Sequence, residues 1–198
     1  LFRSLDPETL AVVRTFSIPR KLNGRTVLKK GRGGIEAIAF VPEPAHPEGG
    51  TFYVGNQSLD PSSQDDLSAV FEVEVSLKTK TTAASHAKLL RCFDAGIDDL
   101  SDLHYDPASD RLYLISDKAD KLLALSRAGK RLQLWQLPGD KQEGFTMDSH
   151  GYVYIAQDSG GIVKLPWRDL APANQQLPQL HCSPHAPRDD RKQKLDSY

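Results

Sequence analysis

Asp99-Leu100-Ser101-Asp102-Leu103-His104-Tyr105-Asp106-Pro107 decides the fold, because the chain says it again in other words on both sides. It is followed by Arg111-Leu112-Tyr113-Leu114-Ile115-Ser116-Asp117, then by Lys121-Leu122-Leu123-Ala124-Leu125. Downstream, Gln142-Glu143-Gly144-Phe145-Thr146-Met147-Asp148 leads to Gly151-Tyr152-Val153-Tyr154-Ile155-Ala156-Gln157-Asp158 and Gly161-Ile162-Val163-Lys164-Leu165. Upstream, Gly34-Ile35-Glu36-Ala37-Ile38-Ala39-Phe40 leads to Thr51-Phe52-Tyr53-Val54-Gly55-Asn56-Gln57 and Ala69-Val70-Phe71-Glu72-Val73-Glu74-Val75. Each piece is short, rich in branched and aromatic residues, and bounded by Gly, Pro, Asp or Ser, which is strand chemistry with turn punctuation. Two further stretches, Lys88–Phe93 and Arg131–Trp135, read as fourth strands. Tandem four-stranded units mean an all-β fold of the β-propeller kind.

Working outward, Leu100 and Gln142 lie about 42 residues apart, the length of one blade. Ile35 to Leu100 is longer, about 65 residues, and the excess falls in two polar insertions, Pro42–Gly50 and Ser58–Asp66. Loops of that kind are tolerated because the strands carry the core. Leu10–Phe16 is expected to be an outer fourth strand, with Leu1–Leu5 as the third strand before it and Asp6-Pro7-Glu8 as their turn. The expected organisation is a partial propeller over residues 1–168 and a polar C-terminal tail over 169–198. The blade remnant is 1–17, and the blades span about 34–93, 99–137 and 142–167. That is about three to four blades, so the N-terminal strand is a candidate to close the last one. Rings hold four to eight blades, so missing blades from further sequence or another chain are inferred as partners. The opening residue Leu1, with no leader-like stretch behind it, points to a processed chain or a fragment. From Ala171 on, Pro, Gln, Lys and Asp dominate, a composition too polar to offset its own ordering.

The 25 basic and 26 acidic residues nearly cancel, which gives no support to a nucleic-acid or anionic-membrane partner. No apolar run approaches the roughly 20 residues of a membrane-spanning helix. Cys92 sits in an apolar strand and Cys182 in the tail, and their spacing does not fix a disulfide, so the redox compartment stays open.

The three blade openings resemble those of SdiA-regulated proteins, a group close to the esterase-like phytase propellers. The likeness covers about Leu1 to Trp167, including second strands that end in Asn56-Gln57, Ser116-Asp117 and Gln157-Asp158. The resemblance implies six blades in the full ring and, for bacterial members, an exported or membrane-associated location. The chain departs from the pattern at Ala37 and Asp102, where glycine is usual, and in its long first-blade insertions.

First strands line the channel of a propeller, so equivalent residues converge there. One aligned set is Glu36, Ser101 and Glu143; a second is Gln57, Asp117 and Asp158, with Asn56 and Gln157 beside it. Oxygen ligands around one axis suit a hard cation, so Glu36, Asp117, Glu143 and Asp158 are expected to form an acidic mouth for Ca²⁺ or a cationic ligand. The leading functional expectation is a binding or scaffold module. The alternative is a metal-dependent hydrolase of phosphoesters, esters or lactones, with Glu36, Asp117 or His104 as base; it rests on analogy of fold. No nucleophile elbow and no P-loop occurs. Lys29–Gly34 is a basic glycine-rich stretch able to cradle phosphate. His181-Cys182-Ser183-Pro184-His185 lacks the second pair that a zinc finger needs.

Overall fold

A computed structural model describes residues 2–28, 34–57, 68–78 and 85–173. The N-terminal part holds β1 (Phe2–Leu5), β2 (Val12–Ser17) and a small hairpin of β3 (Lys21–Leu22) and β4 (Arg25–Thr26). Three antiparallel sheets follow. The first contains β5 (Ile35–Pro42), β6 (Gly50–Asn56), β7 (Ala69–Glu74) and β9 (Lys88–Asp94), with β8 (Ser85–His86) standing outside it. The second contains β10 (Leu100–Asp106), β11 (Arg111–Ser116), β12 (Lys121–Ser126) and β13 (Arg131–Gln136). The third contains β14 (Gln142–Met147), β15 (Tyr152–Gln157) and β16 (Ile162–Pro166). Each runs in sequence order from an inner first strand, and β10 lies between β5 and β14. The chain is an all-β, propeller-type stack of blades.

Alternation along the strands explains the stacking. Side chains two residues apart share a face, so Ala37, Ala39 and Val41 of β5 go to one side and Ile38 and Phe40 to the other. The Ala37 face meets Leu100, Leu103, Leu112, Leu114, Leu123 and Leu125 of the second blade in one buried cluster. The other face of that blade, Tyr113, Ile115, Leu122 and Trp135, packs on Phe145, Val153 and Ile155 of the third. The middle blade is buried on both faces, which is why β11 and β12 read as nearly unbroken apolar runs. Blade contact also requires small residues: a Cβ on Gly55 would sit 2.4 Å from the Leu100 Cδ2 and 3.0 Å from the Ala37 Cβ.

Turn chemistry sits where the punctuation put it. Asp106 accepts the N–H groups of Ala108 and Ser109, each at 3.1 Å, and Asp148 accepts that of His150 at 2.9 Å. The insertion over 42–50 is tied down: Glu43 reaches Arg127, His46 Nε2 lies 3.0 Å from Glu74, and Glu48 accepts the Lys78 N–H. The insertion over 58–66 lies outside the described residues.

Both ends differ from expectation. The second N-terminal strand begins at Val12, not Leu10, because the Asp6 carboxylate accepts the Glu8 and Thr9 N–H groups and Leu10 takes a φ of 57°. That strand does not close onto the third blade. Its partner is β8, in parallel through Phe16 and Ser85, and Phe16 and Leu28 pack with Val54, Phe71 and Val73 on the outer part of the first blade. At the other end, the chain leaves β16 through a short turn at Trp167–Asp169 and runs back along β13. The Gln136 N–H donates to the Ala171 carbonyl, and Ala173 donates to Leu134. Leu170 is 4% exposed and Trp167 meets Trp135 edge-on at 4.7 Å, so two apolar residues anchor this stretch on the second blade. The tail from residue 174, with Cys182, His181 and His185, lies outside the described residues, as do residues 29–33.

Candidate functional site

Each blade opens with a β-bulge at the same place. Ile35 pairs with Asn56 and Ala37 with Gly55, which leaves Glu36 as the extra residue. In the second blade Ser101 is the extra residue between the Leu100 and Asp102 pairs. In the third it is Glu143, between Gln142 and Gly144. A bulge breaks the pleat and re-aims one side chain. Without it, Glu36 and Glu143 would fall into simple alternation with the blade faces. With it, Glu36, Ser101 and Glu143 line one cleft of about 180 Å³, together with Gln57, Asp99 and Asp117. The aligned set read from the repeat is therefore gathered in space by a repeated backbone device.

Hydrogen bonds hold the frame of the cleft. Gln57 donates its side-chain amide to Asp99, and its own N–H goes to the Gly34 carbonyl at 2.9 Å. Ser101 Oγ donates to the Gln142 carbonyl at 2.7 Å, tying the second bulge to the third blade. Ser68 Oγ donates to the Gln57 carbonyl and accepts the Leu100 N–H.

The electrostatics are one-sided. Among the described residues, no ion pair reaches Glu36, Asp99, Asp117 or Glu143; the pairs lie elsewhere. Desolvation pushes the Glu143 carboxyl above its usual range, reinforced by repulsion from Asp117, Asp158, Asp99 and Glu36. Asp117 is pushed up by desolvation and then by Asp99, Asp120 and Asp140, with Lys141 acting against them. Like charges that raise one another mark a site where a cation would relieve the repulsion.

Of the four acids expected at the mouth, Glu36, Asp117 and Glu143 line the cleft. Asp158 is exposed and outside the lining, close enough to act on Glu143 through its charge. Asp99 lines the cleft and was not singled out by the repeat. It stands just before the strand, where the other blades carry Gly34 and Lys141, so no aligned acid marks it. Asn56 is buried at the end of β6, and Gln157 is turned away to donate to the Asp140 carbonyl at 2.9 Å. His104 is not at the mouth. It lies half-buried between the second and third blades, 3.5 Å from Thr146 Oγ1 and edge-on to Phe145. Burial holds its pKa down, against the charges of Asp106 and Asp102. Beside it, Asp102 Oδ2 accepts the Phe145 N–H at 2.8 Å and stitches the two inner strands together. Among the described residues, no group of three or more His, Cys, Asp or Glu side chains is drawn together tightly enough to hold a metal ion, and no helix is long and apolar enough to cross a membrane.

No curated protein is detectably similar to this sequence. Among solved structures, the chain is similar to a hydrazine synthase of Kuenenia stuttgartiensis, with a TM-score of 0.48 and 14% identity. That match covers 77% of this chain and 38% of the other, so the chain spans well under half the length of the protein it matches. The family model of SdiA-regulated proteins matches residues 28–160, from the strand-entry segment of the first blade to the end of the second hairpin turn of the third. With both the blade openings and their bulges inside that span, the chain belongs to the SdiA-regulated family.

Proposed function

We propose that the chain is a propeller binding module whose acidic mouth receives a cationic group. The observation that carries this reading is the convergence of Glu36, Asp99, Asp117 and Glu143 on one cleft with no lysine or arginine of the described residues paired to them. A carboxylate cluster that lacks a counter-ion and is partly desolvated attracts positive charge more strongly than the same acids in open water. Two kinds of ligand fit a lining of carboxylates, the Ser101 hydroxyl and the Gln57 amide: Ca²⁺ carrying part of its water shell, and an ammonium or guanidinium group presented by a partner. Ca²⁺ takes six to eight oxygen ligands, and here waters would supply those that the spread carboxylates do not. Asp158 would act at the rim through its charge.

A hydrolase of phosphoesters, esters or lactones would need a base beside an open metal position. The position of His104 between the blades removes one of the three candidate bases from the mouth, which favours the binding module. Isothermal titration with CaCl₂ and, separately, with spermidine tests the proposal. Saturable heat from either ligand, with an affinity that falls about tenfold in Glu143→Gln, is the expected result. No heat from both would sink it.

A further inference from the structure

The two joints of the blade stack are built from matching positions and differ in chemistry. Where the first blade meets the second, β5 presents Ala37 and Ala39, and Leu100 and Leu103 of β10 pack with them in one buried apolar cluster. Where the second blade meets the third, β10 carries Asp102 and His104 at the positions of those alanines, counted from the bulge. Facing them, β14 carries Gln142 and Phe145, the counterparts of Leu100 and Leu103. A carboxylate, an imidazole and a carboxamide thus stand where the other joint has two alanines and a leucine. The third blade has Gly144 and Thr146 at the positions of Asp102 and His104, so the repeat itself does not call for a titratable group there.

The polar groups of this joint are unequally satisfied. Asp102 Oδ2 accepts the Phe145 N–H at 2.8 Å, and the Gln142 side chain donates to the Pro138 carbonyl at 3.3 Å. The side-chain oxygen of Gln142, a fully buried residue, has no hydrogen-bond partner among the described residues. A buried acceptor without a donor weakens this joint relative to the apolar one. His104 Nδ1 lies 3.5 Å from Thr146 Oγ1, a distant contact, and its ring stands edge-on to Phe145 at 6.0 Å. The charged groups acting on His104 are Asp102 and Asp106 of its own strand. Tyr113 of β11 is its cross-strand neighbour, and β14 meets it with Phe145 and Thr146, which do not titrate. The acids of that part of the third blade are Glu143 at the mouth and Asp148 in the far turn. β5 and β6 pack on the other face of β10. Burial keeps the imidazole neutral, and the two aspartates offset that only in part.

We propose that the joint between the second and third blades is an acid-sensitive switch, in which proton uptake by His104 releases β14 from β10 while the joint between the first and second blades stays closed. An imidazolium in contact with Phe145 and Thr146 is poorly solvated, and opening the joint returns it to water. A histidine whose folded pKa lies below its ordinary value of about 6.5 contributes stability that is present above that value and is lost as pH falls toward the folded one. Ser101 and Glu143 are the bulge residues of the two strands that separate, so release also spreads the mouth. The switch rests on the joint alone and needs no ligand there.

Hydrogen exchange of the full chain without added cation, followed by NMR from about pH 8 to 5 and corrected for intrinsic exchange, tests this alongside the titration of the His104 imidazole. Protection of the Phe145 amide is expected to fall severalfold along the His104 titration curve. The Leu100 amide, which donates to Ser68 Oγ beside the first joint, should hold. His104→Ala, which places the first blade's residue at this position, should keep Phe145 protected throughout. His104→Gln, polar and without a titration in this range, should do the same and serves if the alanine variant fails to fold. Phe145 protection that does not change with pH in the wild type would overturn the proposal. So would an equal fall in a folded His104 variant, since another group then takes up the proton, or a fall shared by Leu100, since the whole stack then opens.

Discussion

The two ends of the blade stack handle negative charge in opposite ways. At the end away from the bulges, Glu72 and Glu43 have arginines. Glu72, with a side chain 12% exposed, meets the Arg91 Nε at 2.5 Å, and Arg91 also donates to the Tyr53 hydroxyl and the Arg127 carbonyl. Arg127 in turn meets Glu43 at 3.3 Å, so a loop of the first blade is fastened to a hairpin of the second. At the bulged end, Glu36, Asp99, Asp117 and Glu143 face one cleft, and the described residues supply no such partner. Similar residues thus serve as structure at one end and as a candidate site at the other. The presence of a counter-ion separates the two roles, and the number of acids does not.

Removing a partner at the paired end should have the largest effect. Arg91→Ala takes the guanidinium from the Tyr53 hydroxyl and from Glu72, which keeps only the Thr51 hydroxyl as donor, and loss of such a hydrogen bond to a mostly buried acid costs about 2 kcal/mol. Chemical denaturation should show that loss, while calorimetry shows cation affinity at the mouth unchanged. If affinity falls with it, the two ends are coupled and the contrast drawn here breaks down.

The mouth should respond the other way. Glu143→Gln removes a charge that its neighbours repel, so the melting temperature should hold or rise. Cation affinity should fall about tenfold, which corresponds to ~1.4 kcal/mol. A variant that is destabilised and still binds fully would show that Glu143 is structural.

A smaller effect is expected from pH. Folded-state pKa values of Glu143 and Asp117 lie above their ordinary values. Between the unfolded and the raised folded pKa the native state holds more protons, so the mouth's contribution to stability improves as pH falls through that window. Asp148 runs opposite. The Tyr152 N–H, with further help from Tyr154 and His150, lowers its pKa, so its contribution is present above the unfolded pKa and lost as pH falls through the folded value. Comparing wild type with Glu143→Gln/Asp117→Asn across pH 3 to 7 isolates the mouth. Its difference in stability should shrink on acidification, and cation binding should weaken over the same interval.

The smallest effect belongs to the exposed pair of Lys118 and Asp98 at 3.5 Å. Lys118→Ala should change stability by less than about 0.5 kcal/mol, as surface pairs generally do. Its neighbourhood with the mouth makes it a useful control for general electrostatics: any change in cation affinity should vanish in high salt.

Much of this was legible in the residues. Strand identity, blade length, the Asp106 and Asp148 turns and the kinship of Glu36, Ser101 and Glu143 all follow from local pattern repeated in order. Other features were not legible. Asp99 enters the cleft from a turn where the neighbouring blades carry glycine and lysine, so alignment passes over it. His104 shares a strand with Ser101, yet the period-two pleat beyond the bulge turns it into the contact with Phe145. The N-terminal strand looked equally fit for the third blade, and its pairing with β8 rests on Phe16 finding the apolar face of Val54 and Phe71.

Sequence by itself determined that this is a tandem array of small antiparallel sheets and which residues occupy matching positions in it, since side-chain alternation and turn preference are set by near neighbours along the chain. Only the tertiary structure decided which acids share a cleft and which are neutralised by arginine. Those outcomes depend on where a bulge rotates one side chain and on how one sheet lies across the next, and both are fixed by contacts between residues far apart in the chain.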